Sequence, residues 1–390
     1  MNKRILKICL GNWENESRDK RELAACRELG LEPLVMARGE MDDWFQEDSV
    51  DGFPVMRFSP RKFGANLPRR LRQACSILSW VWCARKLEPA IITGHDIEAL
   101  AIGWLSTIGL PKNKRPKLVY DSHEFELGRN AQRSKLYMLA LKYGERFLMN
   151  RCAFSIMVND PIADAVQQIH KLKDRPVVVR STPNYWDVDP AVCSKIREEF
   201  LNSMEEPREM LLMYHGNVMK GRGIDMLLHV VQHNPNVCAV ILGNAMNQYD
   251  EEMIQLARDL GVEKRVVFHT AVPATELWKY VGAADAGMIL APAIVANHLY
   301  SLPNKFFENI QSGTPVICPQ YPAMKPIVDR YQIGLTCDPT DLEQINACVE
   351  KLRTDKAFYA LCKDNLKTAK KDLCWEKEKQ ILKDAYREIM

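Results

Sequence analysis

The sequence lacks any run approaching the roughly 20 apolar residues that cross a bilayer, which argues against a membrane-spanning helix. It has no Cys-x-x-Cys pair and no zinc-ligand spacing, although it holds 12 cysteines. Several of these, including Cys9, Cys238 and Cys318, sit inside apolar runs and read as buried free thiols of a reducing compartment. No G-x-G-x-x-G follows a strand-like run, which argues against a dinucleotide-dependent dehydrogenase. A G-x-x-x-x-G-K-[ST] loop is also missing, so the P-loop nucleotide site is not expected. There is no solenoid-period repeat and no low-complexity tract. Acidic residues are absent from Gly52 to Leu87, where eight basic ones fall: Arg57, Arg61, Lys62, Arg69, Arg70, Arg72, Arg85 and Lys86.

What is present is a 390-residue chain, 47% hydrophobic and 26% charged, the profile of a globular protein. Single cores stop growing at roughly 250–300 residues, so two domains are expected. The net charge of +3 is uneven: residues 1–180 carry +8 and the remainder −5. A basic stretch of this kind attracts an anionic membrane or an acidic substrate, or is an ordinary solvated face. The opening KRILKICL reads as a first strand rather than as a secretory leader, and the expected location is cytoplasmic, peripheral to the inner face of the membrane.

Short apolar runs alternate with helical patterns in both halves. ILKICL, PLVMA, AIITG, KLVYD, FSIMV and PVVVR read as strands of the first half. MLLMYHG, VCAVILG, RVVFHT, AGMILAP, TPVICP and GLTCD read as strands of the second. Continuous Val/Ile/Leu runs mark buried parallel strands, and strand–helix alternation implies right-handed crossovers. The expected fold class is α/β, with two Rossmann-like domains over residues 1–190 and 208–370. A bridging helix is expected near Ala191–Ser203, and a last helix from about Trp375 to Met390 is expected to pack back on the first domain.

Two segments of the second domain carry the chemistry. In MYHGNVMKGRGID a strand ends at Gly216, and a loop with Gly221 and Gly223 leads into a helix near Ile224. Glycines let backbone N–H groups approach an anion at a helix N-terminus, and Arg222 adds a charge-assisted bond to a phosphate. In SLPNKFFENIQSGTP, Ser301 is expected to cap a helix with Pro303 in its first turn, closed by Gly313. Lys305 falls in that first turn, where a cation opposes the helix dipole unless an anionic ligand is near. Glu308 lies one turn on, placed to accept two hydroxyl bonds, as from a ribose diol, or to pair with Lys305.

Residues from about 210 to 355 resemble the nucleotide-sugar-binding domain of retaining family-four glycosyltransferases, which have the two-domain GT-B fold with a cleft between the domains. The stretches that carry the resemblance are YHGNVMKGRGIDMLL, VVFHTAVPATELWKYVGAAD, YSLPNKFFENIQSGTPVI and GLTCDPTDLEQ. The resemblance implies that Gly216, Asn217 and Arg222 face a donor diphosphate and that backbone at Ser301, Leu302, Pro303 and Asn304 caps it. It implies that Glu308 holds the ribose, that the base lies near Ala271 and Val272, and that Lys305 and Arg222 serve the reaction. Asn217 stands where many members have Arg, and Tyr300 where the first of the family's two glutamates falls.

The first domain resembles the family more loosely. His95 in ITGHDIEAL and His123 in VYDSHEFEL follow strands, and His123 is the candidate for the family's active-site histidine. Gly11, His95, Asp121 and Glu124 are the acceptor-side candidates. Neither a metal nor a cofactor is expected. The implied reaction moves a sugar from a nucleoside-diphosphate donor, UDP- ahead of GDP-, to a glycan or lipid-linked acceptor in cell-surface polysaccharide or glycolipid synthesis. An epimerase of the same fold and a non-catalytic nucleotide-sugar-binding homologue remain open here. Nucleic acid is not an expected partner.

Overall fold

A computed structural model describes residues 2–39, 45–59, 67–129 and 133–390. The chain divides into two compact units, one of Met1–Arg180 with Lys379–Met390 and one of Ser181–Glu378. Among the described residues no helix is long and apolar enough to cross a membrane.

Among the described residues the first unit holds eight strands: β1 (Arg4–Cys9), β2 (Glu32–Arg38), β3 (Phe45–Val50), β4 (Phe53–Phe58), β5 (Ile91–Gly94), β6 (Lys117–Ser122), β7 (Phe154–Met157) and β8 (Val177–Val178). Their order is β3-β4-β2-β1-β5-β6-β7-β8. All neighbours run parallel except β3 and β4. Among the described residues, five helices join them: α1 (Ser17–Glu28), α2 (Arg69–Lys86), α3 (Ile97–Thr107), α4 (Lys135–Met149) and α5 (Asp160–His170). The order reverses between β1 and β5, so the carboxyl ends of β1, β5 and β6 flank the place where such sheets hold ligands. The terminal helix Trp375–Ile389 contributes its later turns to this unit. Lys379 and Lys383 pair with Glu28 at 3.0 and 3.1 Å, and Tyr386 packs edge-on against Phe154.

The β3–β4 hairpin is an addition to the expected strands. In β3, FQEDSV is polar and half-buried or exposed, so no apolar run announces that strand, whereas β4, FPVMRF, is largely apolar and buries Phe53, Val55 and Phe58. The turn between the strands is Asp51-Gly52 with both φ positive, the two-residue geometry that Asp-Gly favours.

The second unit holds β9 (Met210–His215), β10 (Val237–Leu242), β11 (Val266–His269), β12 (Ala286–Met288), β13 (Val316–Pro319) and β14 (Gly334–Cys337). All six coincide with the apolar runs read from the sequence. The order β11-β10-β9-β12-β13-β14 is doubly wound, with its reversal between β9 and β12. The helices that position the site are α6 (Pro190–Ser203), α7 (Ile224–His233), α8 (Tyr249–Asp259), α9 (Leu277–Val281), α10 (Ala296–Leu299) and α11 (Asn304–Ser312). The helix read as a bridge, α6, belongs to this unit: Phe200 is buried with Leu211, Met213 and Val240.

Gly223 shows how closely the sheet and α7 approach. Its φ is +75°, and a Cβ there would run into the carbonyl of Leu290. Gly223→Ala is therefore expected to cost the second unit about 2–4 kcal/mol, from left-handed strain plus the clash. Faster hydrogen exchange in β9 and α7 would report it; unchanged exchange would contradict the packing.

Candidate functional site

In the second unit the loop after β9 and the start of α11 come together. Gly216 has φ +115°, and a Cβ there would touch the Lys305 ammonium at 3.5 Å. The loop runs on through Gly221 and Gly223, also at positive φ, and α7 begins at Ile224. No side chain caps α7, and none caps α11, so both helices present their first-turn N–H groups uncapped. Ser301 does not take the expected cap position. Its hydroxyl donates to the His298 carbonyl at 2.8 Å, closing the short α10, and Pro303 stands at the cap of α11 instead. Gly313 closes α11 in the left-handed conformation, as read.

Lys305 lies in the first turn of α11, with its Nζ 4.0 Å from the centre of the Tyr214 ring. Tyr214 is buried and its hydroxyl donates to the Asn217 carbonyl at 2.7 Å, which fixes ring and loop together. Burial and then the charge of Arg222 push the Lys305 ammonium down to about 7, and Glu308 offsets only part of this. Arg222 itself is exposed. Two cations thus crowd one spot beside two uncapped helix N-termini, an arrangement that is unfavourable in isolation and favourable around an anion.

Glu308 does not pair with Lys305. Its Oε2 lies 2.9 Å from Nε2 of the buried His215, the last residue of β9. That contact fixes one carboxylate oxygen. Leu302 is buried, while Pro303 and Asn304 are more open. Ala271 and Val272 follow β11 after Thr270, and the Ala271 N–H donates to Asn244 Oδ1 at 3.1 Å. Asn217 is exposed on the glycine loop.

The first unit gathers a second group at the carboxyl ends of β1, β5 and β6. Its centre is Lys7, a fully buried lysine in the middle of β1. Its Nζ lies 2.8 Å from Asp19, 3.2 Å from Asp121 and 3.6 Å from Glu22. Arg18, also buried, reaches Glu22 at 3.1 Å, Asp121 at 3.2 Å and the Val179 carbonyl at 3.0 Å. His123 Nε2 sits 3.1 Å from both Asp19 Oδ1 and Asp121 Oδ2. His95 stacks on His123 at 5.4 Å and approaches Asp19 at 3.5 Å.

Burial alone would lower the His123 pKa, but Asp121 and Asp19 outweigh it and lift the imidazole to about 10. At neutral pH His123 is therefore an imidazolium, a hydrogen-bond donor rather than a base. Asp121 is corrected here as an acceptor-side candidate. It is fully buried, and both its oxygens are taken by Lys7, Arg18 and His123, so no oxygen is left for an acceptor hydroxyl. Glu124 is exposed and paired with Arg129 at 2.8 Å. Gly11 lines an open pocket with Asn12, Glu14, Arg38 and Arg57. Arg57 is held by Asp48 at 2.8 Å and by Glu14, so this part of the basic stretch is internally neutralised. Arg61 and Lys62 lie outside the described residues.

Asp19, Asp121 and His123 are close enough to share a metal ion, as are Cys9, Glu16 and His95. In the first group the Lys7 ammonium already supplies positive charge to both carboxylates.

Residues 196–371 match the family described as "Glycosyl transferases group 1". This stretch, under half of the chain, is similar to that family's domain. Solved structures place the whole chain in the GT-B fold. It is similar to Anabaena HepE in complex with UDP, at TM-score 0.74 and 17% identity, over 99% of this chain and 100% of that one. Sucrose-phosphate synthase from Thermosynechococcus elongatus gives TM-score 0.74 and 15% identity over 99% and 98%. The lipopolysaccharide outer core galactosyltransferase WaaB, in its apo form, gives 0.70 and 11% over 99% and 100%. No curated protein matches the chain significantly.

Within this matched stretch the sequence reading singled out Lys305, Arg222 and Glu308 but missed His215 and Tyr214. Both close the strand before Gly216, where β9 side chains meet α11 only through the fold. In the first unit it missed Lys7, Arg18, Asp19 and Glu22. A lysine inside an apolar parallel strand was the available signal, because buried strands exclude charge unless it is paired.

Proposed function

We propose that the chain transfers a hexosyl group from a UDP-sugar to an acceptor hydroxyl with retention of configuration and without a metal ion. The proposed setting is cell-surface polysaccharide or glycolipid synthesis at the inner face of the membrane. The observation that carries this is Lys305, half-buried against Tyr214 beside Gly216, Arg222 and the uncapped N-terminus of α11. In the reaction the bond from sugar C1 to the diphosphate oxygen breaks and the acceptor oxygen bonds to C1. The acceptor proton passes to the leaving diphosphate. Negative charge builds on that diphosphate, and Lys305, Arg222 and the N–H groups of α7 and α11 stabilise it. Glu308, oriented by His215, takes the ribose hydroxyls. His123 donates a hydrogen bond to the sugar or acceptor. The solved complexes of HepE with UDP and with UDP-glucose support a uridine donor.

The depressed Lys305 pKa supplies a test. A diphosphate beside Lys305 raises that pKa, so UDP binds the protonated form more tightly. Affinity is then highest below about pH 7 and falls as pH rises above it, with proton uptake on binding near neutrality. Calorimetry in two buffers of different ionisation enthalpy measures the uptake directly. UDP binding without proton uptake, or GDP bound as tightly as UDP, would count against the assignment.

A further inference from the structure

The first unit carries an exposed apolar face that neither group of candidate site residues uses. Along α2, Leu71, Leu78 and Trp82 lie on one side of the helix, exposed by 56%, 65% and 53%. Along α4, Leu136, Leu139 and Tyr143 also fall on one side of the helix, and Leu136 is 78% exposed. The opposite sides of both helices are buried, through Trp80 and Ala84 in α2 and Leu148 and Met149 in α4. Helix α3 packs against both, and its Trp104 meets Phe147 of α4 edge-on at 5.0 Å, so the two stripes share one face. Scattered single apolar residues need no explanation, but two aligned stripes on neighbouring helices do.

The exposed charges of α2 and α4 have one sign, while α3 between them adds the exposed Glu98. Helix α2 contains no acidic residue. In α4 the single one, Glu145, is buried and holds His170 at 2.9 Å and Tyr120 at 3.1 Å. The exposed rings carry cations: Lys86 over Trp82 at 4.3 Å, Arg133 over Tyr137 at 4.9 Å and Arg151 over Phe147 at 3.4 Å. Apolar ridges, amphipathic aromatics and a predominantly basic border are what a helix lying in a lipid interface presents.

We propose that the outer face of α2 and α4 docks on an anionic lipid bilayer, with Leu78, Trp82, Leu136 and Leu139 entering the headgroup boundary. This gives a surface to the membrane-side acceptor of the proposed function and rests on that reading for its purpose. It also narrows the membrane contact: within the basic run from Arg57 to Lys86 the determinant is α2 with its apolar stripe, not the Arg57 end, which Asp48 and Glu14 neutralise. A second copy of the chain is a poorer occupant, because a two-fold contact of this face would set basic residues against basic residues.

The test is vesicle flotation of the full chain with phosphatidylcholine alone and with about 30 mol % phosphatidylglycerol added. The variant Leu78→Gln/Trp82→Gln/Leu136→Gln/Leu139→Gln changes only residues at least half exposed. The wild-type chain is expected to float with the anionic vesicles alone, and the variant to partition at least about tenfold less. Raising salt to about 0.5 M is expected to release the wild-type chain in part. Equal flotation of variant and wild type, or no preference for anionic vesicles, overturns the inference. So does a lipid-free dimer, seen by light scattering, that the variant dissolves. UDP calorimetry on the same samples separates the two readings. A chain that binds UDP but does not float overturns the surface alone. One that floats but binds no UDP supports the surface and overturns the donor site.

Discussion

Lys305→Met is expected to lower kcat by about a hundred- to a thousandfold, the size of effect seen when one preorganised donor to a developing negative charge is removed. The argument rests on what Lys305 costs the empty protein. It stands in the first turn of α11, where the helix dipole already places positive charge, and Arg222 adds more. The Tyr214 face at 4.0 Å returns only part of the lost hydration. Such a lysine is poorly placed for stability and well placed for a diphosphate.

The same reasoning gives the variant a second signature. A lysine whose folded pKa lies near 7 against an unfolded value near 10.5 binds fewer protons folded than unfolded between those limits. Its contribution to stability therefore rises with pH from about 7 to 10.5 and is least favourable below pH 7. Lys305→Met removes that penalty, so the ligand-free variant is expected to melt no lower than wild type and to gain most at acid pH. Thermal melts at pH 6 and pH 9 check the sign. Loss of turnover together with a lowered melting temperature at both pH values would mean that Lys305 is a structural residue.

The parts of this site differ in how legible they were. The two glycine-marked loops, the start of α7 and the Gly313 closure of α11 follow from local rules that act over a few residues. All six strands of the second unit stand out because burial on both faces leaves uninterrupted apolar runs. Strand β3 failed the apolar test, yet Asp51-Gly52 carried the hairpin's turn signal in plain sight. Ser301 was misplaced because Ser is a good cap and Pro a good first helical residue. The chain instead uses Ser301 to finish α10, an element too short to show a period. The His215–Glu308 contact joins residues far apart in sequence, and only the β9–α11 packing brings them together. The exposed stripes on α2 and α4 were hidden for the opposite reason. An apolar helical period predicts burial, and the sequence does not say which apolar face the sheet will leave uncovered.

Lys7→Met is expected to destabilise the first unit by about 3–5 kcal/mol, the usual result of removing one partner from a buried ion pair. Methionine matches the lysine stem in length, so packing is nearly conserved and the loss is electrostatic. Asp19 and Asp121 would keep Arg18 and His123 as partners but lose the ammonium at 2.8 and 3.2 Å. Because the chain has two units, a single unfolding free energy is poorly defined. Hydrogen exchange resolved over β1 and β6 is the suitable measurement. The pH dependence identifies the cause. In the wild-type chain Asp19 and Asp121 are held below the usual carboxylate range despite burial, by Lys7 and His123 and, at Asp121, Arg18. Their contribution is present above the unfolded carboxylate value near 4 and is lost as pH falls below it. His123, raised to about 10, contributes fully below about pH 6.5 and loses that contribution as pH climbs toward 10. Without Lys7 the two carboxylates become easier to protonate, so the deficit of the variant should shrink at about pH 4. Adding Asp19→Asn removes one uncompensated charge and should recover part of the stability at neutral pH. A deficit that is constant with pH, and unrelieved by Asp19→Asn, would show that packing and not charge makes Lys7 necessary. The network would then lose its role in holding His123 as an imidazolium at the strand ends.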